Sequence, residues 1–286
     1  MTEAATESSA QRAAHRTASH PAQRGLLVLA AILVVVFLGL PVVALVVRAV
    51  LDGSFGTALL SGAVLAALSL SLATTAVSLL VTVIVGLPLA LVLARRSFRG
   101  KWLIEALIDL PIVLPPSVAG LALLLVFGRR GLLGGPLQLA GVEIPFTTVA
   151  VVLAQVFVSA PFFIRAARTG LAGVDGDLED AARVDGASEM QLFRSITLPL
   201  ASAALSAGLV MSWARALGEF GATIMFAGNI EGRTQTLPLV VYAEFQAGSL
   251  DTSIAAAAIL VIAALGVLVA VRILHWSWAF DVRSIG

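Results

Sequence analysis

Hydrophobic residues make up 59% of the 286-residue chain, charged residues only 12%, and the net charge is +1; mean hydropathy is +1.01. A soluble domain carries about 25% charged residues, so most of this surface must face lipid, and the small net charge leaves no basic footprint for nucleic acid. Cysteine is absent, which excludes disulfides, thiolate metal sites and thiol catalysis, and His15, His20 and His275 lie scattered near the termini rather than clustered as metal ligands.

Residues 1–24 are rich in Ala, Ser and Thr with no apolar periodicity, so a disordered tail is expected there. Residues 25–286 follow as one membrane domain. A crossing helix needs about 20 apolar residues, and six stretches qualify: about 26–48, 62–94, 103–128, 146–168, 199–226 and 252–274. The expected fold is therefore all-α and polytopic, with six transmembrane helices. Pro41, Pro88, Pro111, Pro115, Pro116 and Pro161 lie in or beside these spans and predict kinks, because neighbouring helices can satisfy the freed backbone groups. The string DLPIVLPPSVAG at Pro111–Pro116 predicts a break in the third span.

Lys and Arg mark the cytoplasmic side of a membrane protein. One side receives Arg12, Arg16, Arg24, Arg95, Arg96, Arg99, Lys101, Arg165, Arg168, Arg183, Arg194, Arg272 and Arg283; the other receives only Arg48, Arg129, Arg130 and Arg233. Thirteen against four places both termini in the cytoplasm. The largest cytoplasmic connection is then 169–198, and the external connection 227–251 predicts a loop with a short helix. Within the first of these, LEDAARVDGASEMQLFRSITLPL (178–200) predicts a helix around Ala181 and Ala182, a turn at Gly186 and resumed helical spacing to Leu198. Pro199 suits the first turn of the fifth span, where a missing N–H costs nothing.

These residues resemble the cytoplasmic loop of ABC importer permeases, which reads Glu-Ala-Ala, three residues, Gly, nine residues, then Ile-x-Leu-Pro. Here Asp180, Ala181, Ala182, Gly186, Ile196, Leu198 and Pro199 match at every spacing, with Asp180 in place of Glu. The resemblance implies a type I importer permease domain over 25–286, and that this loop is a coupling helix seated in a separate ATPase subunit. No G-x-x-x-x-G-K-[ST] phosphate loop occurs in the chain, so ATP would be used by the partner and no cofactor is expected on this chain. The ionisable residues within the spans are too scattered to suggest an enzyme.

Arg215 and Glu219, four residues apart, are expected to share one helix face in span five. A lone charge at mid-bilayer costs about 2.5–3.5 kcal/mol, so both should point inward. Two readings stand: a translocation pathway or gate, and an ion pair that only fixes helix orientation. Gln155 and Ser159 on span four are equally open between lining a path and bonding a neighbouring helix. Glu105 and Asp109 are read as solvated at the interface. Gly218 and Gly221 suit close helix approach, and Gly228-Asn229 suits a helix end. The strings at 215–239 and 114–134 resemble permeases for tetrahedral oxyanions, molybdate permeases above all and sulfate or thiosulfate permeases next. That resemblance implies a homodimer in the cell membrane, two ATPase subunits and an extracytoplasmic oxyanion-binding protein. A secondary transporter is the alternative of another class.

Overall fold

The computed structural model describes the backbone of residues 21–283 and the side chains of residues 25–269. Every regular element among them is helical. α1 (Pro21–Leu51) begins four residues inside the expected tail, at a proline whose missing N–H is harmless in a first turn; residues 1–20 lie outside the described residues. The short α2 (Ser54–Leu60) leads into α3 (Gly62–Arg95). At 1.5 Å per residue α3 is about 51 Å long, well beyond a bilayer core of about 30 Å.

The third apolar stretch is two helices rather than one. α4 (Lys101–Val113) and α5 (Pro116–Phe127) meet at 119°. Pro115 drives Leu114 out of the helical region, to ψ 134°, and Pro116 then starts the next helix. α6 (Gly134–Leu139) precedes α7 (Thr148–Ala172), whose first turn donates the Ala150 N–H to Thr147 Oγ1 at 3.3 Å. α8 (Gly176–Val184) and α9 (Glu189–Leu192) form the large connection. A π turn, Phe193–Thr197, joins α9 to α10 (Leu198–Leu217) without interruption. Pro199 therefore lies within a continuous helical run rather than at its start. Its ring and missing N–H fall just after the widened turn, where the ladder has already shifted register. The fifth span also stops early: Gly218–Phe220 separate α10 from α11 (Gly221–Phe226). α12 (Leu237–Gln246) and α13 (Leu250–Arg283) complete the chain. Among the described residues, five helices are long and apolar enough to cross a membrane, six if the bent α4–α5 pair makes one span.

α7 is the central helix and packs against α3 on one side and α10 on the other. Small residues permit that closeness, as expected where lipid supplies no hydrophobic drive between helices. A Cβ on Gly208 would lie 2.8 Å from Ala166 Cβ, and one on Gly86 would lie 3.0 Å from Ile164. Ala90, Phe163, Ala167, Leu171 and Ala201 fill the seam. Buried polar groups then tie the layers together. Ser78 Oγ donates to Gln155 Oε1 (2.9 Å), Gln155 Nε2 donates to Thr75 Oγ1 (3.3 Å), and Ser212 Oγ donates to the Ser159 carbonyl (3.0 Å). Gln155 thus bonds a neighbouring helix. By contrast α1 exposes its apolar side chains along nearly its whole length.

Candidate functional site

At the C-terminal end of α7 the chain builds a short peripheral helix on a fixed support. Asp175 Oδ1 accepts the Asp177 N–H (3.0 Å) and opens α8. The helix closes with paired bonds, Gly186 N–H to Arg183 O and Ala187 N–H to Ala182 O, each 3.0 Å. This Schellman ending requires a left-handed residue, and Gly186 supplies it at φ 86°. Ser188 then begins α9 with a capping box to Gln191. Arg183 bridges the turn, donating to Asp180 (2.7 Å) and to Glu189 (2.9 Å). Those two carboxylates, Glu189 foremost, raise the Arg183 pKa further above its already high value, so it stays charged.

The loop residues singled out by spacing divide into two groups. Asp180, Ala181 and Gly186 are exposed and Ala182 is half-buried, on α8 and its closing turn; Ile196 and Leu198 are half-buried, with Pro199 exposed, where the run enters α10. Leu178, Val184 and Met190 are exposed as well, Val184 at 87%. The result is an exposed peripheral helix on which Leu178, Val184 and Met190 alternate with Asp177, Asp180 and Arg183, uncovered among the described residues.

The residue that holds this helix in place is Glu179, which spacing did not single out. It is 5% exposed, and its Oε1 accepts from both Arg95 Nη2 at the end of α3 and Thr197 Oγ1 (2.7 Å) in the π turn. One carboxylate therefore clamps the peripheral helix to two membrane helices. Arg95 is 84 residues away, so no local pattern predicts the pairing. A groove of about 810 Å³ lies beside the clamp, walled by Pro88, Met190 and Phe193. On the same end, Glu105 pairs with Arg168 and Lys101, and Asp109 lies 3.6 Å from Arg165. The Arg168 and Arg165 contacts link α4 to α7 while leaving both carboxylates partly exposed.

Arg215 and Glu219 do meet, but not along one helix. α10 ends at Leu217, and Glu219 sits in the gap before α11. Arg215 Nη1 lies 2.6 Å from Glu219 Oε2, a close electrostatic contact whose alignment falls outside hydrogen-bond geometry. Glu219 Oε1 accepts the Ala222 N–H at 2.6 Å and so serves the first turn of α11. The Glu219 side chain is 0% exposed and that of Arg215 27%. All the contacts of Glu219 are internal, while Arg215 keeps an open side. Gly221 brings α11 against α5, since a Cβ there would lie 2.6 Å from Pro116 Cβ; Gly218 meets no such crowding and serves as the terminator. We expect Arg215→Ala to strand the Glu219 carboxylate and cost about 2 kcal/mol, less than for a fully buried pair because Arg215 is partly exposed. Adding Glu219→Gln should recover part of that loss, as thermal unfolding in detergent would measure.

The family model described as "Binding-protein-dependent transport system inner membrane component" matches residues 86–276. The chain belongs to this family. The match takes in Pro88, the α4–α5 break, the peripheral helix and the Arg215–Glu219 gap. As an inner membrane component the chain is a multi-pass membrane protein of the plasma membrane. It is 42% identical over 236 residues to the molybdenum transport system permease protein ModB of Mycobacterium tuberculosis, covering 82% of this chain and 89% of that one. A probable molybdenum ABC transporter permease protein of Haloferax volcanii is 40% identical over 251 residues, 88% and 90% of the two chains. Among solved structures, a bacterial ABC transporter involved in the import of the acidic polysaccharide alginate superposes with a TM-score of 0.70 at 17% identity, over 88% and 93% of the chains. At that identity the likeness concerns the fold.

Proposed function

We propose that this chain is the permease subunit of an ATP-driven importer of molybdate, a transport subunit rather than an enzyme. The observation that carries the reading is the 42% identity to molybdenum permeases across 82% of the chain. The geometry supports it: a clamped, exposed peripheral helix is what a subunit without its own phosphate loop needs to receive force from an ATPase. The partners are two ATPase subunits at α8, an external oxyanion-binding protein and a second copy of this chain. The excess of Lys and Arg on that side supports a cytoplasmic α8 and cytoplasmic termini.

Movement imposed on α8 passes through Glu179 into α3 by Arg95 and into the π turn by Thr197, then along α10 to the Arg215–Glu219 gap. α11, pressed against α5, carries it onward. Alternating access follows if the two breaks, at Leu114–Pro115 and Gly218–Phe220, act as hinges between rigid pieces. Arg215 is the gate residue with an open side toward an anion; Glu219 holds it in place.

The test is ATP-dependent uptake of molybdate by the permease reconstituted with its ATPase and binding protein, with sulfate as competitor. Gly186→Pro opposes the +86° φ held at that turn and should cost the loop about 2 kcal/mol, with a matching loss of uptake. Gradient-driven uptake by the chain alone, indifferent to ATP, would sink the reading. Preferred uptake of sulfate over molybdate would move the chain to a sulfate importer.

A further inference from the structure

At the N-terminal end of α7, about 37 Å from the peripheral helix, a half-open pocket of about 630 Å³ is lined by Arg129, Arg130, Arg233, Glu143 and Phe146 among others. Three guanidiniums and one carboxylate give this lining a net positive charge. Arg129 is already held by Glu143, at 3.0 and 3.3 Å. Arg130 and Arg233 pair with no carboxylate among the described residues. The reading by charge count took these arginines only as the minority on the external side.

The pocket is built rather than loose. Thr148 Oγ1 donates to the Arg233 carbonyl (2.9 Å), the Ile230 N–H donates to Thr234 Oγ1 (3.0 Å), and the Arg233 N–H donates to the Ile230 carbonyl (3.1 Å). Arg233 therefore projects from a pinned turn. Phe146 is held at φ 61°, the one described non-glycine residue with positive φ. That is a strained conformation for an aromatic residue. Its N–H donates to the Phe226 carbonyl (3.3 Å) at the end of α11. Its ring lies against Gly228, where a Cβ would come within 3.0 Å. The pocket is thus joined through α11 to Glu219 at that helix's other end.

We infer that this pocket is a holding site for a tetrahedral oxyanion dianion, gripped by Arg130 and Arg233. Guanidinium groups match such anions with paired N–H donors, and two unpaired ones in a concave wall raise the local anion concentration. The pocket sits on the side that receives substrate under the importer reading, on which this inference rests. Its strained wall and its link to α11 connect occupancy with the Arg215–Glu219 gap.

The test uses the reconstituted importer and two readouts: equilibrium binding of radiolabelled molybdate to the importer without its binding protein, and ATP-dependent uptake by the complete system. Both arginines are exposed, so Arg130→Gln/Arg233→Gln should keep the fold, as its melting temperature checks. We expect the double variant to bind molybdate about tenfold more weakly and to lose most of the salt dependence of binding. Arg130→Lys/Arg233→Lys should keep the salt dependence. Unchanged anion binding in the Gln variant, with wild-type uptake intact, would overturn the holding site and leave the importer standing. Weakened attachment of the binding protein with anion binding unchanged would also overturn it and assign the pocket to protein docking. Absence of ATP-driven uptake in the wild type would instead count against the importer reading itself.

Discussion

Gly120→Val should sharply destabilise the permease. A Cβ at this position would lie 2.6 Å from the Ala222 carbonyl oxygen, 2.7 Å from Met225 Cβ and 2.9 Å from Ala222 Cα. Two of those three atoms are backbone, so no rotamer change relieves the clash and α5 must leave α11. The separation would open the cluster of Ala119, Leu123, Ala154, Ala222 and Phe226. Overpacking of this kind costs about 3 kcal/mol or more, a large share of a total stability of about 5–15 kcal/mol. The check is the yield and melting temperature of detergent-extracted protein. Gly135→Ala, with nothing within 4 Å of its Cβ, is the matched control and should behave as wild type.

Glu179→Ala should uncouple transport while leaving the protein in the membrane. The carboxylate accepts from Arg95 and Thr197 at once, and its loss removes a charged hydrogen bond worth about 2 kcal/mol. Most of the fold, packed around α7, is untouched. What disappears is the fixed angle between α8 and the two helices to which it is clamped. Uptake should fall at least about tenfold, since a misplacement near 1 Å can cost an enzyme about 100-fold, while the partner ATPase continues to hydrolyse ATP. Asp180→Ala breaks only an exposed, solvent-screened contact to Arg183. If Asp180→Ala proved as damaging as Glu179→Ala, force would be passing through the helix's own surface chemistry and not through its anchor.

The span positions were legible because lipid imposes a strong compositional demand: α3 runs from Gly62 to Arg95 against an expected 62–94. The α4–α5 break was legible for a different reason, since consecutive prolines restrict the backbone whatever surrounds them. The loop from Asp180 to Pro199 carried its turn in Gly186, whose left-handed φ is a local property. Three features were not legible. The Glu179–Arg95 pairing joins residues far apart in the chain, and neither looks special among its neighbours. The gap at Gly218–Phe220 lies in an apolar stretch whose composition allows an unbroken helix, and it depends on Glu219 receiving the Ala222 N–H. The π turn at Phe193–Thr197 has no compositional mark; Pro199 hints at a disturbance without saying of which kind. The outer arginines were read as topology marks because their shared pocket exists only once α5, the 142–148 segment and the 230–234 turn come together.

The widened turn carries a consequence for how drive and pore are geared. The Leu198 N–H reaches back to the Phe193 carbonyl, one residue farther than an α-helix allows. It therefore stores a spare residue between α9 and α10. Deleting one residue from 193–197 would let the ladder close as ordinary α-helix. Everything on the α9 side would then rotate by about 100° and draw in by about 1.5 Å relative to α10. Such a shortened chain would keep its hydropathy and its helix content, yet present the peg on the wrong azimuth. Under the proposed importer function, the phase of this one turn would set the direction in which the engine's stroke reaches the channel wall.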